Sequence, residues 1–151
     1  MVEITEPKRL RILIADDDEE DKNLIKIAFE EMECPLFLEF VSDGVELMND
    51  LNQRVILRKA LPDVILLDLN MPKKDGKAAL KEIKENNLLK YIYVIILSTS
   101  NLSEDKRYTQ ELGANSYYTK PADYILLLDM AKEIYSEVMT SMKINHEETE
   151  M

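Results

Sequence analysis

Five side chains able to do chemistry each stand at the end of a short apolar or β-type run. Asp16 and Asp17 follow Leu10 to Ala15, Asp68 follows Val64 to Leu67, and Ser98 follows Tyr91 to Leu97. Lys120, itself followed by Pro121, ends Ser116 to Thr119. Two or three carboxylates brought to one point repel each other too strongly to stand bare. A hard dication relieves that repulsion, and carboxylates with waters suit Mg²⁺. Lys120 adds a second positive charge, and a phosphoryl group is the natural anion to meet both a Mg²⁺ ion and a lysine. A carboxylate at the centre of such a cluster can accept the phosphoryl group as a nucleophile. Singly, each residue also has an ordinary explanation. Acids ahead of a helix complement its dipole, an aspartate after a strand suits a turn, Ser98 within Ser98-Thr99-Ser100 is a loop hydroxyl, and Lys-Pro makes a turn. The joint placement is what is specific.

Two periods alternate along the chain and supply the elements that must position these groups. Asp18 to Met32 reads as a helix with Leu24, Ile25, Ala28, Phe29 and Met32 at spacings of three and four. Glu19, Glu20 and Asp21 fall in its first turn, where negative charge is favoured. Leu36 to Val41 is a second strand, Ser42-Asp43-Gly44 a turn, and Val45, Met48, Leu51 and Val55 mark the next helix. Asn52 to Leu61 extends that helix or forms a surface loop. Val64 to Leu67 is the fully apolar run of a buried parallel strand. Asp75 caps a helix carrying Ala79, Leu80 and Ile83. After the strand at Tyr91 to Leu97, Ser103 caps a short helix bearing Tyr108 and Leu112, which Gly113 stops. Asp123 opens a last helix with Leu127, Ala131, Ile134 and Val138 on one face, and Lys143 to Met151 form a polar end that frays. Strand–helix units in this alternation imply a parallel sheet with helices on both faces. Such sheets bind ligands outside the carboxyl ends of their strands, where these five side chains stand.

Composition removes other classes. Length 151 suits one domain, and 46% apolar residues suffice for a core. A net charge of −11 argues against wrapping nucleic acid and against a basic membrane patch. The three glycines, Gly44, Gly76 and Gly113, lie too far apart for a phosphate-cradling loop. A single cysteine, Cys34, excludes an internal disulfide and points to a reducing compartment. A single histidine, His146, argues against a histidine-based zinc site. The start is charged without an apolar signal core, and no apolar run approaches the roughly 18 residues needed to span a membrane. The expected address is the cytoplasm.

Four separated stretches resemble the receiver domain of bacterial two-component response regulators. They are Ile12-Leu13-Ile14-Ala15-Asp16-Asp17-Asp18, Pro62-Asp63-Val64-Ile65-Leu66-Leu67-Asp68-Leu69-Asn70-Met71-Pro72 with Asp75-Gly76, Val94-Ile95-Ile96-Leu97-Ser98-Thr99-Ser100, and Gly113-Ala114-Asn115-Ser116-Tyr117-Tyr118-Thr119-Lys120-Pro121. The resemblance covers about residues 9–142, between an N-terminal arm, 1–8, and the polar tail, 143–151. The Lys73-Lys74 pair and the long segment before Pro62 resemble single-domain regulators that partner phytochrome-type histidine kinases.

The resemblance implies a flavodoxin-like α/β three-layer sandwich, with a five-stranded parallel sheet of order 2-1-3-4-5 and five helices. It implies that Asp68 is the phosphoacceptor, taking the phosphoryl group from a phosphohistidine on a sensor histidine kinase or a histidine phosphotransfer protein. It implies Mg²⁺, with Mn²⁺ as a substitute, held by Asp17, by Asp16 through water, by Asp68, and by the main-chain carbonyl of Asn70. Ser98 and Lys120 then bind the phosphoryl oxygens, and Ser98 and Tyr117 form the switch. Tyr117 is preferred to Tyr118 because alternation sends the two to opposite faces. Asn70 and Ser100 occupy the positions that tune dephosphorylation, and Lys120-Pro121 is a cis-peptide candidate. Ser100 lacks a carboxylate or amide to orient water, so phosphoryl loss is expected to be slow. No stretch after residue 142 is long enough for a DNA-binding output domain, so output is expected through a protein target or onward phosphotransfer. Tyr124, Leu128, Tyr135 and Met139 on the last helix suggest a homodimer.

Two other functions compete. A Mg²⁺-dependent phosphohydrolase acting on a small molecule would need a closing cap and an acid–base aspartate two residues after its nucleophile, where this chain has Asn70. A phosphorylation-independent interaction module would not be expected to keep Asp16, Asp17, Asp68, Ser98 and Lys120 together.

Overall fold

The strands are β1 (Leu10–Ala15), β2 (Leu36–Val41), β3 (Val64–Leu67), β4 (Tyr93–Ser98) and β5 (Ser116–Thr119). They alternate with α1 (Glu19–Glu31), α2 (Gly44–Ile56), α3 (Gly76–Glu85), α4 (Ser103–Glu111) and α5 (Tyr124–Glu150). The structure, a computed structural model, describes residues 9–150, with side chains as far as residue 143. The N-terminal arm and the side chains of the polar tail beyond residue 143 therefore lie outside the described residues.

All strand pairs are parallel and the order is β2-β1-β3-β4-β5, as the resemblance implies. Alternation along each strand divides the core in two. Leu13, Ala15, Ile65, Leu67, Val94 and Ile96 face Leu47, Leu51, Leu80 and Ile83 of α2 and α3. Ile12, Ile14, Val64, Leu66, Ile95 and Leu97 face Phe29 of α1 and Leu127, Ala131, Ile134 and Val138 of α5. The central strands are buried on both faces, which explains their unbroken apolar sequence.

Register brings the chemistry to one edge. Ala15 is level with Leu67, Leu67 with Ile96, and Ser98 with Thr119. The ladder runs one step further through Asp16 N–H to Val41 O (3.1 Å), Asp68 N–H to Ala15 O (3.0 Å) and Lys120 N–H to Ser98 O (2.7 Å). Helix starts are pinned by aspartates: Asp18, Asp43 and Asp75 each accept from the backbone N–H three residues on, at 3.0, 2.8 and 2.8 Å.

Several local expectations need correction. α4 begins after Leu102, which has no side-chain cap, so Ser103 is the first helical residue and not the cap. β4 starts two residues later than Tyr91, because Leu89 to Ile92 close a turn through Ile92 N–H to Leu89 O (3.0 Å). Leu24, Val45 and Tyr108 are exposed. The period of 3.6 puts each on the flank of its helix, while Lys22, Leu47 and Thr109 take the buried places. The segment at Asn52 to Leu61 is both things the sequence allowed: helix to Ile56, then a turn with Arg58 at φ 54°.

Candidate functional site

The site lies in the crevice beside β1 and β3, where the strand order reverses. Asp16 and Asp68 are buried, and Asp17 is exposed on the loop ahead of α1. One carboxylate oxygen from each of the three falls within 4.8 Å of the others. This all-oxygen anionic set fits a hard divalent cation and offers nothing to a softer one. Asp16 is held by the Asp18 N–H (2.9 Å), and Asp68 by the Asn70 N–H (3.3 Å).

Lys120 reaches across the sheet from β5. Its Nζ lies 2.5 Å from Asp16 Oδ2, 2.9 Å from Asp21 Oδ2 and 3.5 Å from Asp68 Oδ2. Burial alone would lower the ammonium's pKa, but its hydrogen bonds to Asp16 and Asp21 and the charges of Asp68 and Asp16 outweigh that and raise it. It therefore stays charged at neutral pH. The Asp68 pKa also rises, which for a carboxylate favours the neutral form. Burial pushes its pKa up to about 6, against the pull of Lys120 and with the help of the Asp16 charge. A bare Asp68 is thus poised to gain from any further positive charge.

Ser98 is fully buried, and its Oγ accepts from the Ser100 N–H at 3.2 Å. The Ser100 hydroxyl does not lead into the crevice. It donates to Asp105 Oδ2 (2.6 Å), whose other oxygen holds Lys77 of α3 at 2.6 Å. Tyr117 donates its O–H to the Ser100 carbonyl (2.6 Å), so the loop after β4 is tied to β5. Tyr118 lies on the opposite face, as alternation requires. It shares Glu137 of α5 with Tyr93 and Ser116, at 2.8, 2.6 and 3.0 Å. Burial first, and Glu137 second, push the Tyr118 pKa up to about 12 and raise that of Tyr93 as well.

The Lys120–Pro121 bond is trans, against the expectation of a cis peptide. The trans bond already carries the Lys120 N–H to Ser98 O and all three contacts of the ammonium. Nothing then opposes the ordinary trans preference of about 0.5–1 kcal/mol.

Two features of the site went unread in the sequence. Asp21, assigned there only to the dipole of α1, is a direct partner of Lys120. Its position one turn after Asp17 on a helix leaving the crevice was the available signal. Gly76 backs the loop after β3: a Cβ there would stand 2.2 Å from the Asp68 carbonyl oxygen.

Fold and site define a phosphoryl-accepting signalling domain, and the chain belongs to the response regulator receiver domain family, whose pattern matches residues 12–132. It is similar to the response regulator Rcp1 of Synechocystis, 36% identical over 126 residues that make up 83% of this chain and 86% of Rcp1. Among solved structures it resembles the phosphorylated cyanobacterial phytochrome response regulator RcpA, with a TM-score of 0.81 and 36% identity over 89% of this chain and 96% of that one. The Mn²⁺-bound form of Rcp1 gives a TM-score of 0.75 at 35% identity, covering 84% of this chain and 92% of that one. Among the described residues, no helix is long and apolar enough to cross a membrane.

Proposed function

We propose that Asp68 accepts a phosphoryl group from a phosphohistidine, with Mg²⁺ held by Asp16, Asp17, Asp68 and the Asn70 carbonyl. The observation that carries this reading is a buried carboxylate, Asp68, with an ammonium 3.5 Å away and two further carboxylates close enough to share one cation. A carboxylate oxygen of Asp68 forms the new O–P bond as the P–N bond breaks, and the leaving imidazole keeps the electron pair. A divalent cation held by these carboxylates would neutralise charge on the transferred group. Lys120 pairs with the phosphoryl oxygens, and the Ser98 hydroxyl donates to one of them. That donation draws in the loop that Tyr117 holds at Ser100, which couples Asp68 to α4 and β5. Asn70 and Ser100 stand two residues beyond Asp68 and Ser98, and neither side chain can act as a general base, so autodephosphorylation is slow.

The donor is a sensor histidine kinase of the phytochrome type or a histidine phosphotransfer protein. The cytoplasmic address, the downstream protein target and a homodimer through α5 belong to the same reading. Exposed Ile125, Leu126 and Met139 on α5 support the dimer, whereas Tyr124, Leu128 and Tyr135 pack against the core of the chain itself. The test is labelling by acetyl phosphate. The wild type should label with Mg²⁺ or Mn²⁺ and not with EDTA, and Asp68→Asn should not label. Labelling of that variant to wild-type extent would overturn the assignment.

A further inference from the structure

We propose that Asp21 is a positioning residue for phosphoryl acceptance, holding the Lys120 ammonium in a resting place from which the phosphoryl group must take it. The inference rests on Asp68 being the acceptor. An ammonium has three N–H donors, and three carboxylates surround this one, at 2.5, 2.9 and 3.5 Å. A phosphoryl group on Asp68 inherits the longest of these contacts and brings more than one oxygen, and a second oxygen can enter that shell only if Asp16 or Asp21 leaves. Asp16 and Asp68 belong to the carboxylate set that suits a cation, and Asp21 does not. Asp16 is also buried and tied through its second oxygen to the Asp18 N–H. Asp21 is half-buried on the first turn of α1, so water can solvate its carboxylate once it lets go. Its release is the less costly of the two.

A resting contact of this kind reduces apparent affinity for the phosphodonor by the fraction of molecules in which the ammonium is free. Asp21→Asn keeps the side chain's shape and removes the charge that competes with the phosphoryl group. Removing a nearby acid also weakens cation binding. A gain in phosphorylation measured at saturating Mg²⁺ therefore cannot come from the metal.

The experiment titrates the full chain with acetyl phosphate at saturating Mg²⁺ and reads the steady-state phosphorylated fraction by intact mass, alongside the melting temperature. Asp21→Asn should lower the half-saturating acetyl phosphate concentration about threefold to tenfold, the range of a partly exposed charge-assisted contact. Asp21→Glu should return it toward the wild-type value. Glu20→Gln, which neutralises the adjacent acid, should leave it unchanged. A merely structural role for Asp21 would lower the melting temperature and leave the half-saturating concentration alone. An unchanged or raised value in Asp21→Asn, or an equal fall in Glu20→Gln, would overturn the proposal. Asp68→Asn run beside them reports on the acceptor separately: its labelling would remove the acceptor assignment, whatever Asp21 does.

Discussion

Replacing Lys120 by methionine isolates the electrostatic logic of the crevice. Methionine keeps an unbranched stem of similar volume and deletes the charge. The side chains of Lys120, Asp16 and Asp68 are 9%, 2% and 8% exposed, so solvent screens little of what is lost. Breaking a buried pair by removing one partner costs about 3–5 kcal/mol. The contact with the more exposed Asp21 adds only about 0–1 kcal/mol. Asp68 can soften the loss, because its pKa is already pushed up to about 6 and protonation removes one unpaired charge. The lower end, about 3 kcal/mol, is therefore expected. In a domain of this size each kcal/mol moves the melting temperature by about 2–4 °C, so Lys120→Met should melt about 6–12 °C lower in EDTA. Mg²⁺ should then stabilise the variant more than the wild type, since it binds without an opposing ammonium. Thermal denaturation by circular dichroism, in EDTA and across a Mg²⁺ series, reads both effects. Equal melting temperatures in EDTA, or equal gains from Mg²⁺, would refute the reasoning.

Further outcomes follow from other contacts. Gly76→Ala places a Cβ 2.2 Å from the Asp68 carbonyl oxygen and 2.7 Å from Leu69 Cα, both backbone. The overpacking, about 1–3 kcal/mol, should outweigh the helix-propensity gain and lower the urea midpoint; an unchanged or higher midpoint would contradict this. Tyr93 and Tyr118 should ionise last among the tyrosines in an alkaline absorbance titration. Their raised pKa values mean that the fold keeps them protonated. That stability is complete below the unfolded value of about 10 and is lost as pH rises through the folded value of about 12 for Tyr118. Ionisation of all tyrosines together near 10 would argue against the shared Glu137 contact. The phosphorylated protein, with the Ser100 hydroxyl engaged by Asp105, should keep its label well beyond seconds at neutral pH. Loss within seconds would show that another group orients water.

Legibility in the sequence followed the strength of the physical signal. β3 was readable because a run of four apolar residues bounded by Pro62-Asp63 and Asp68 suits few structures other than a buried strand. Asp16, Asp68 and Lys120 were readable because strand ends in a parallel sheet share one edge. Helix flanks were not: Leu24 sits one position from buried Ile25, and Val45 two positions from buried Leu47. Arg54 is buried because it finds Asp50 (2.8 Å), Glu39 (2.7 Å) and the Ala60 carbonyl (3.2 Å), and no linear pattern announces that arrangement. The Asp21 contact was hidden for the same reason, since it joins residues 99 positions apart.

The most direct measurement locates the phosphoryl group itself. Protein labelled with acetyl phosphate and Mg²⁺ is reduced with borohydride, which converts an aspartyl phosphate to homoserine, and is then digested and sequenced by mass spectrometry. The converted residue should be at position 68 alone, and it should be missing when Mg²⁺ is withheld. Conversion at Asp16, Asp17 or Asp21 instead, or at position 68 without any divalent cation, would contradict the central claim.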